Sequence, residues 1–330
     1  MGYIAKGTRY DDMEYRKCGE SGLRLPAVSL GLWHNFGDNA DFQNMCKMCF
    51  TAFDNGITHF DLANNYGPSE GSAEINFGKI LNGYMKGYRD EMIISTKAGY
   101  RMWEGPYGDF GSRKYLMASI DQSLKRMNID YVDIFYHHRM DKDTPLYETM
   151  WSLADIVKSG KALYVGLSNY DGETMLQASE ILRELHCPFV INQNRYSILN
   201  RTVEGNGLIE SAISAKKGVI VFSPLAQGML TNRYLSGIPK DSRVRTDGRF
   251  LNEGHISQEM LKKILALDKI AGARGQTLAQ MALSWLYSKE GITSVLIGAS
   301  KPEQITENLN MTKNLNFTQE ELDEIDRVVL

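Results

Sequence analysis

The chain has 330 residues, long enough for two average domains or for one α/β barrel of the usual ~250 residues with additions. Its 43% apolar and 23% charged content is that of a soluble globular protein, and a net charge of −3 argues against a nucleic-acid or anionic-membrane surface. No apolar run approaches the ~18 residues that cross a bilayer.

The opening stretch, MGYIAKGTRYDD, lacks the basic and apolar segments of a secretory leader, and Lys6 stands where a myristoylation signal carries Ser or Thr. Residues 15–24 read as a hairpin turning at Glu20-Ser21-Gly22, expected to cap one end of the fold. The first apolar run, 27–32, is followed by GLWHNFGDNA, which is not the GxGxxG of a dinucleotide loop. A helix over 41–55 carries Cys46 and Cys49. Their spacing is that of a redox pair, but they sit mid-helix, away from the N-terminus whose dipole lowers a thiol pKa. With Cys18 and Cys187 they are too scattered for a disulfide framework. Buried thiols and a cytoplasmic home are expected.

From there an alternation sets in. Strand-length apolar runs fall at 27–32, 57–62, 91–97, 132–136, 163–167, 189–193, 219–223 and 294–297. Helical periodicity fills 41–55, 72–81, 114–127, 146–159, 172–184, 207–217, 257–289 (broken near Gly272 and Gly275) and 302–309. A last helix over 319–328 has Thr318 as its N-cap. Continuous Val/Ile-rich strands between helices imply parallel strands covered on both faces. These units predict a closed (β/α)8 barrel of TIM type, with the hairpin cap and extra helices, in a single domain over 1–330.

In such barrels, functional groups gather at the C-terminal ends of strands. The second strand ends at Asp61, with Tyr66 beyond it in HFDLANNYG. The third ends at Lys97. The fourth, YVDIFYHH, puts Tyr136 and His138 on one face and His137 on the other. A buried Asp61 needs a partner, and Lys97 on the adjacent strand supplies one. The ammonium beside the phenol is expected to lower the Tyr66 pKa and make it a proton donor, while His138 orients a substrate oxygen. Taken singly, each residue reads as a satisfied ion pair, a packed ring or a loop tyrosine. Their convergence on neighbouring strand ends points to carbonyl reduction.

The motifs GITHFDLANNYG, MIISTKAGY, YVDIFYHHRMD, KALYVGLSNY, VIVFSPLAQGMLTNRY and VLIGASKPEQITEN, in this order, resemble the aldo-keto reductase superfamily over nearly the whole chain. LRLPAVSLGLWHNFG, FDLANNYGPSEGSAE and GPYGDFGSRKYL are similar in style to its bacterial L-glyceraldehyde 3-phosphate (methylglyoxal) reductase branch. The potassium-channel β subunits come next. The resemblance implies a catalytic set of Asp61, Tyr66, Lys97 and His138, and NADPH extended across the barrel mouth. Trp33 and Asp61 would touch the cofactor. Ser168, Asn169 and Gln193 would bind the nicotinamide amide, and Phe222 would stack on its ring. Ser223, Pro224, Leu225 and Gly228, aided by Arg233 and Arg243, would line the pyrophosphate. Gly298, Ser300, Lys301, Gln304, Glu307 and Asn308 would meet the adenosine end. The helix opening at Pro302 agrees, since its N–H groups and dipole favour a 2′-phosphate. Many members carry Arg where Gln304 stands.

Trp33, Tyr66, Tyr100, Trp103 and His138 are expected to wall a pocket for a small carbonyl. Arg139, Arg101 and Arg113 are candidates for a substrate phosphate, with a solvated surface charge as the plain alternative. No metal is expected. Two other functions compete. One is an NADPH-holding regulatory subunit, against which His138 argues because channel β subunits carry Asn there. The other is a Schiff-base lyase using Lys97, which would need a neutral amine. A homo-oligomer is the expectation carried by the resemblance.

Overall fold

Eight short parallel strands, each too narrow to bury its own faces, close on themselves and take their outer cover from helices. The computed structural model describes residues 2–232 and 257–330. The expected hairpin is β1 (Tyr15–Lys17) antiparallel to β2 (Arg24–Pro26). The barrel strands are β3 (Val28–Gly31), β4 (His59–Asp61), β5 (Ile93–Ala98), β6 (Val132–His137), β7 (Ala162–Ser168), β8 (Phe189–Arg195), β9 (Gly218–Phe222) and β10 (Ile292–Ile297). Each pairs with the next in chain order, and β10 returns to β3 to close the ring.

The helices are α1 (Phe42–Asp54), α2 (Ser72–Ile80), α3 (Arg113–Met127), α4 (Leu146–Lys158), α5 (Gly172–Glu184), α6 (Thr202–Gly205), α7 (Leu208–Ser214), α8 (Gln258–Ala273), α9 (Leu278–Ser288), α10 (Pro302–Leu309) and α11 (Gln319–Val329). Local chemistry sets their ends. Asp41, Ser112, Asp171 and Ser257 cap α1, α3, α5 and α8 through their side-chain oxygens. Thr277 and Thr318 open α9 and α11 with capping boxes. The expected break in 257–289 falls between Ala273 and Leu278, where Gly275 takes φ +68. The expected helix 207–217 is shorter: α7 ends at Ser214, and Lys216 takes the left-handed φ +55. The run 91–97 begins late, at Ile93, because residues Lys86–Glu91 wind into a 3-10 turn.

Two apolar layers result. Most buried residues pack between the strands and the surrounding helices. A smaller inner cluster joins Ile134, Tyr136, Ile191, Ile220 and Leu296 to Cys18, Leu23 and Leu25 of the hairpin. The hairpin therefore plugs the N-terminal end of the barrel and leaves the other end to the polar strand termini. No helix among the described residues is long and apolar enough to cross a membrane. Gly166 on β7 exists to admit Tyr136: a Cβ there would lie 2.3 Å from its ring. Gly166→Ala should destabilise the fold by about 1–3 kcal/mol in urea unfolding. An unchanged midpoint would mean that the barrel interior is looser than this packing.

Candidate active site

Parallel register brings the first pair together. Asp61 lies opposite Ser95, so Lys97, two residues further along the same face of β5, reaches back over it. Both side chains are fully buried, and Lys97 Nζ is 2.5 Å from Asp61 Oδ2. The ammonium also donates to the Leu62 carbonyl at 2.7 Å and to Tyr66 Oη at 3.4 Å. Three acceptors occupy its three protons. Asp61 Oδ1 accepts from Ser95 Oγ at 2.6 Å and from Gln193 Nε2 at 3.2 Å. Every charge in the pair is met, as an ion pair removed from water requires.

Tyr66 reaches this pair through a tight turn after β4. Asn64 N donates to Lys97 O and Tyr66 N to Ala63 O, which folds the phenol back so that Nζ sits 4.8 Å from its ring centre. His138 follows β6, its N–H bonded to Ala98 O at 2.9 Å. Gly99 permits this approach, since a Cβ there would lie 3.0 Å from that of His138. The His138 ring stands 6.0 Å from Tyr66 and edge-on to Tyr100 at 4.6 Å. Trp33 stacks on Tyr66 at 5.7 Å. Trp33, Tyr66, His138 and Tyr100 thus form one aromatic wall. Trp103 packs instead on Tyr115. His137 faces outward, as its strand parity predicts, and bonds Tyr170 Oη at 2.7 Å.

The electrostatics correct one expectation. Burial, then the Asp61 carboxylate and Tyr100, push Tyr66 well above the usual phenol range. The lowering expected from Lys97 is outweighed, because burial penalises the phenolate and Asp61 offsets the ammonium charge. Burial pulls Lys97 itself below the ordinary lysine range, and Asp61 opposes the fall. Burial, reinforced by Lys97, His137 and Arg139, holds His138 well below the usual range, so its ring is neutral at pH 7. Its Nδ1 is buried without a partner.

A buried carboxylate, an ammonium and a phenol in line, beside a neutral imidazole at a barrel mouth, can deliver a proton to a carbonyl oxygen. The aldo/keto reductase family model matches residues 27–330 of this chain. The chain belongs to the aldo/keto reductase family. It is 54% identical over 330 residues, 99% of its length and 95% of theirs, to proteins named L-glyceraldehyde 3-phosphate reductase from Escherichia coli O157:H7 and Escherichia coli strain K12. It is therefore an oxidoreductase that draws on a nicotinamide cofactor.

The residues of this reductase expected at the cofactor fall along one rim. Ser168, Gln193 and Phe222 end or nearly end β7, β8 and β9. Ser168 and Gln193 are buried; Asn169 uses Nδ2 on the His138 carbonyl at 2.9 Å. Beyond β9, Ser223 takes φ +53, Pro224 is buried, Leu225 takes φ −95 and ψ 17, and Ala226, Gln227 and Gly228 take φ +47, +58 and +97. Successive left-handed residues make a concave run of backbone that suits a pyrophosphate. Gly298, Ser300 and Lys301 are exposed before α10 and Gln304 and Glu307 along it, while Asn308 is buried. Gln304 Oε1 accepts from Ser300 N at 2.8 Å and Oγ at 3.1 Å, and α10 has no side-chain cap. Arg233 and Arg243 lie outside the described residues. The donors present fit an extended dinucleotide.

Of the three arginines, Arg113 pairs with Asp155 and stacks on Trp151, and the exposed Arg101 pairs with Glu104. Arg139 is sandwiched between Tyr100 and Phe110 at 4.4 and 4.3 Å, and pairs with Asp109.

The sequence reading missed a second polar group beneath Asp61. Ser294, Ser29, His59 and Ser95 are fully buried and bonded in that order. The signal was available in strand parity: His59 and Ser95 stand two residues before Asp61 and Lys97, on the same faces. Burial pulls His59 and His137 down to about 4 each. The unfolded chain takes up these protons at about 6.5. Stability is therefore complete above that value and falls as pH drops from about 6.5 toward 4. A melting temperature that stays level across that window would contradict these buried neutral rings.

Proposed function

We propose that this reductase converts small aldehydes, L-glyceraldehyde 3-phosphate and methylglyoxal among them, to alcohols with NADPH. It would work as a single cytoplasmic barrel domain that assembles into a homo-oligomer. Lys97, donating at once to Asp61, Leu62 O and Tyr66 Oη, carries this reading. Because Tyr66 Oη accepts from Lys97, its own O–H is left to point into the mouth. A raised phenol pKa keeps that proton in place until an alkoxide, a stronger base than phenolate, forms beside it. Lys97 then stabilises the phenolate left behind. His138, neutral, donates from the nitrogen facing the mouth and fixes the carbonyl oxygen.

NADPH, when bound, supplies a hydride to the carbonyl carbon. Ser168, Asn169 and Gln193 would hold its amide and Phe222 its ring. Trp33 would lie against it, and the backbone of residues 223–228 would cradle the pyrophosphate. Ser300, Lys301 and the uncapped start of α10 would take a 2′-phosphate, which supports NADPH over NADH. Four free, buried cysteines support a reducing compartment. A Schiff-base role for Lys97 is disfavoured because an amine donating three hydrogen bonds has no lone pair to attack with. Arg139 is the arginine stacked on the aromatic wall, and the name shared by the two relatives favours a phosphorylated triose.

Tyr66→Phe should lower kcat for aldehyde reduction by about 10²–10⁴ while NADPH affinity, measured by fluorescence titration, stays within about twofold. Full turnover by that variant would remove Tyr66 from the chemistry. Arg139→Met should raise KM about tenfold for L-glyceraldehyde 3-phosphate and leave methylglyoxal untouched in the same NADPH assay. Equal effects on both substrates would reduce Arg139 to a structural role.

A further inference from the structure

Ser294, Ser29, His59 and Ser95 stand on β10, β3, β4 and β5, four neighbouring strands of the ring. Their contacts form an unbroken belt: Ser294 Oγ to Ser29 Oγ at 2.7 Å, Ser29 Oγ to His59 Nδ1 at 2.9 Å, His59 Nε2 to Ser95 Oγ at 2.9 Å, and Ser95 Oγ to Asp61 Oδ1 at 2.6 Å. All five residues are fully buried. The reaction as described above uses none of the first four.

The belt has one consistent direction. A carboxylate only accepts, so the Ser95 hydroxyl gives its proton to Asp61. Ser95 oxygen must then accept, so His59 carries its proton on Nε2. A neutral imidazole holds one proton, which leaves Nδ1 bare to accept from Ser29. Ser29 oxygen in turn accepts from Ser294. Burial, which depresses the His59 pKa, keeps the ring in that neutral form. Every O–H and N–H along the belt therefore points toward Asp61. Hydrogen bonds aligned in this way polarise one another, and their combined field falls on a single carboxylate oxygen.

We infer that His59 is a positioning residue for aldehyde reduction: through Ser95 it locks Asp61 Oδ1, so that Oδ2 keeps the Lys97 ammonium charged and fixed under Tyr66. Without His59 the Ser95 hydroxyl is free to rotate away and Asp61 to swing. Lys97 then loses its anchor, while on the cofactor rim only Gln193, which also donates to Asp61 Oδ1, shares the disturbance. The inference rests on the reading of Tyr66 as proton donor, yet the belt's direction is measurable without turnover.

The first measurement is long-range proton–nitrogen NMR of the ¹⁵N-labelled full chain at pH 7, with His59 assigned by its loss in His59→Gln. A protonated Nε2 and a bare Nδ1 are expected, shifting toward tautomer exchange in Ser29→Ala. An Nδ1–H ring or an imidazolium overturns the belt. The second is kinetic. His59→Leu should lower kcat about tenfold, with NADPH affinity and aldehyde KM within about twofold. His59→Gln, which restores one donor and one acceptor, should recover most of that loss. His59→Leu combined with Ser95→Ala should be no slower than Ser95→Ala alone, because both cut the same link. A folded His59→Leu with wild-type kcat, or losses that multiply in the double variant, overturns the positioning role. Should His59→Leu fail to fold, Ser29→Ala gives the same reading on a smaller truncation: a several-fold lower kcat at unchanged NADPH affinity, against none. Were the wild type inactive toward every aldehyde, the functional reading alone would fall, and the His59 tautomer would still decide the belt.

Discussion

An ammonium and a carboxylate 2.5 Å apart with no access to water set the terms for this barrel's mouth. Desolvating two charges costs several kcal/mol per ion unless the remaining donors and acceptors are met. Here they are met from four directions: the Leu62 carbonyl, Tyr66, Ser95 and Gln193. Each comes from a different point on the rim, so the pair can exist only if the ring of strands is closed and in register. The hairpin plug, the glycine under Tyr136 and the parity of β4 and β5 all serve that condition.

The same burial decides the acid–base character of the site. A cation beside a phenol ordinarily favours phenolate. In this mouth the cation is already spoken for, and the low-polarity surroundings penalise phenolate more than Lys97 rewards it. His138 is likewise kept neutral. Tyr66 and His138 are thus both proton-bearing at neutral pH, as suits groups that donate to an oxygen gaining charge. The imidazoles deeper in the fold, His59 and His137, are held neutral by the same burial.

Cofactor recognition without a glycine-rich dinucleotide loop needs another source of aimed N–H groups. In the proposed reading, left-handed backbone after β9 and the uncapped start of α10 would provide it. Both lie on the rim that carries Asp61, Tyr66, Lys97 and His138, so one end of the barrel would serve binding and chemistry together.

Periodicity located the eight barrel strands and the main helices, and the run of strand–helix units pointed to the closed ring; the hairpin was legible from its turn. Boundaries moved where left-handed backbone or a 3-10 turn intervened, after Ser214 and before Ile93. Asp61, Lys97 and His138 were legible as polar residues ending apolar strands, and Tyr66 as the tyrosine following Asp61. Sequence pattern could not say that Trp103 turns to Tyr115 while Trp33 meets Tyr66, since loop direction depends on what packs beneath. Nor could it show Ser294, Ser29, His59 and Ser95 as one belt, because their bonds run across strands that are distant in the chain. The order of elements and the polar strand ends were written in the residues themselves. The protonation of Tyr66 and His138, and the direction of the belt, were decided only by closure of the barrel, because burial and cross-strand neighbours set the balance of charge.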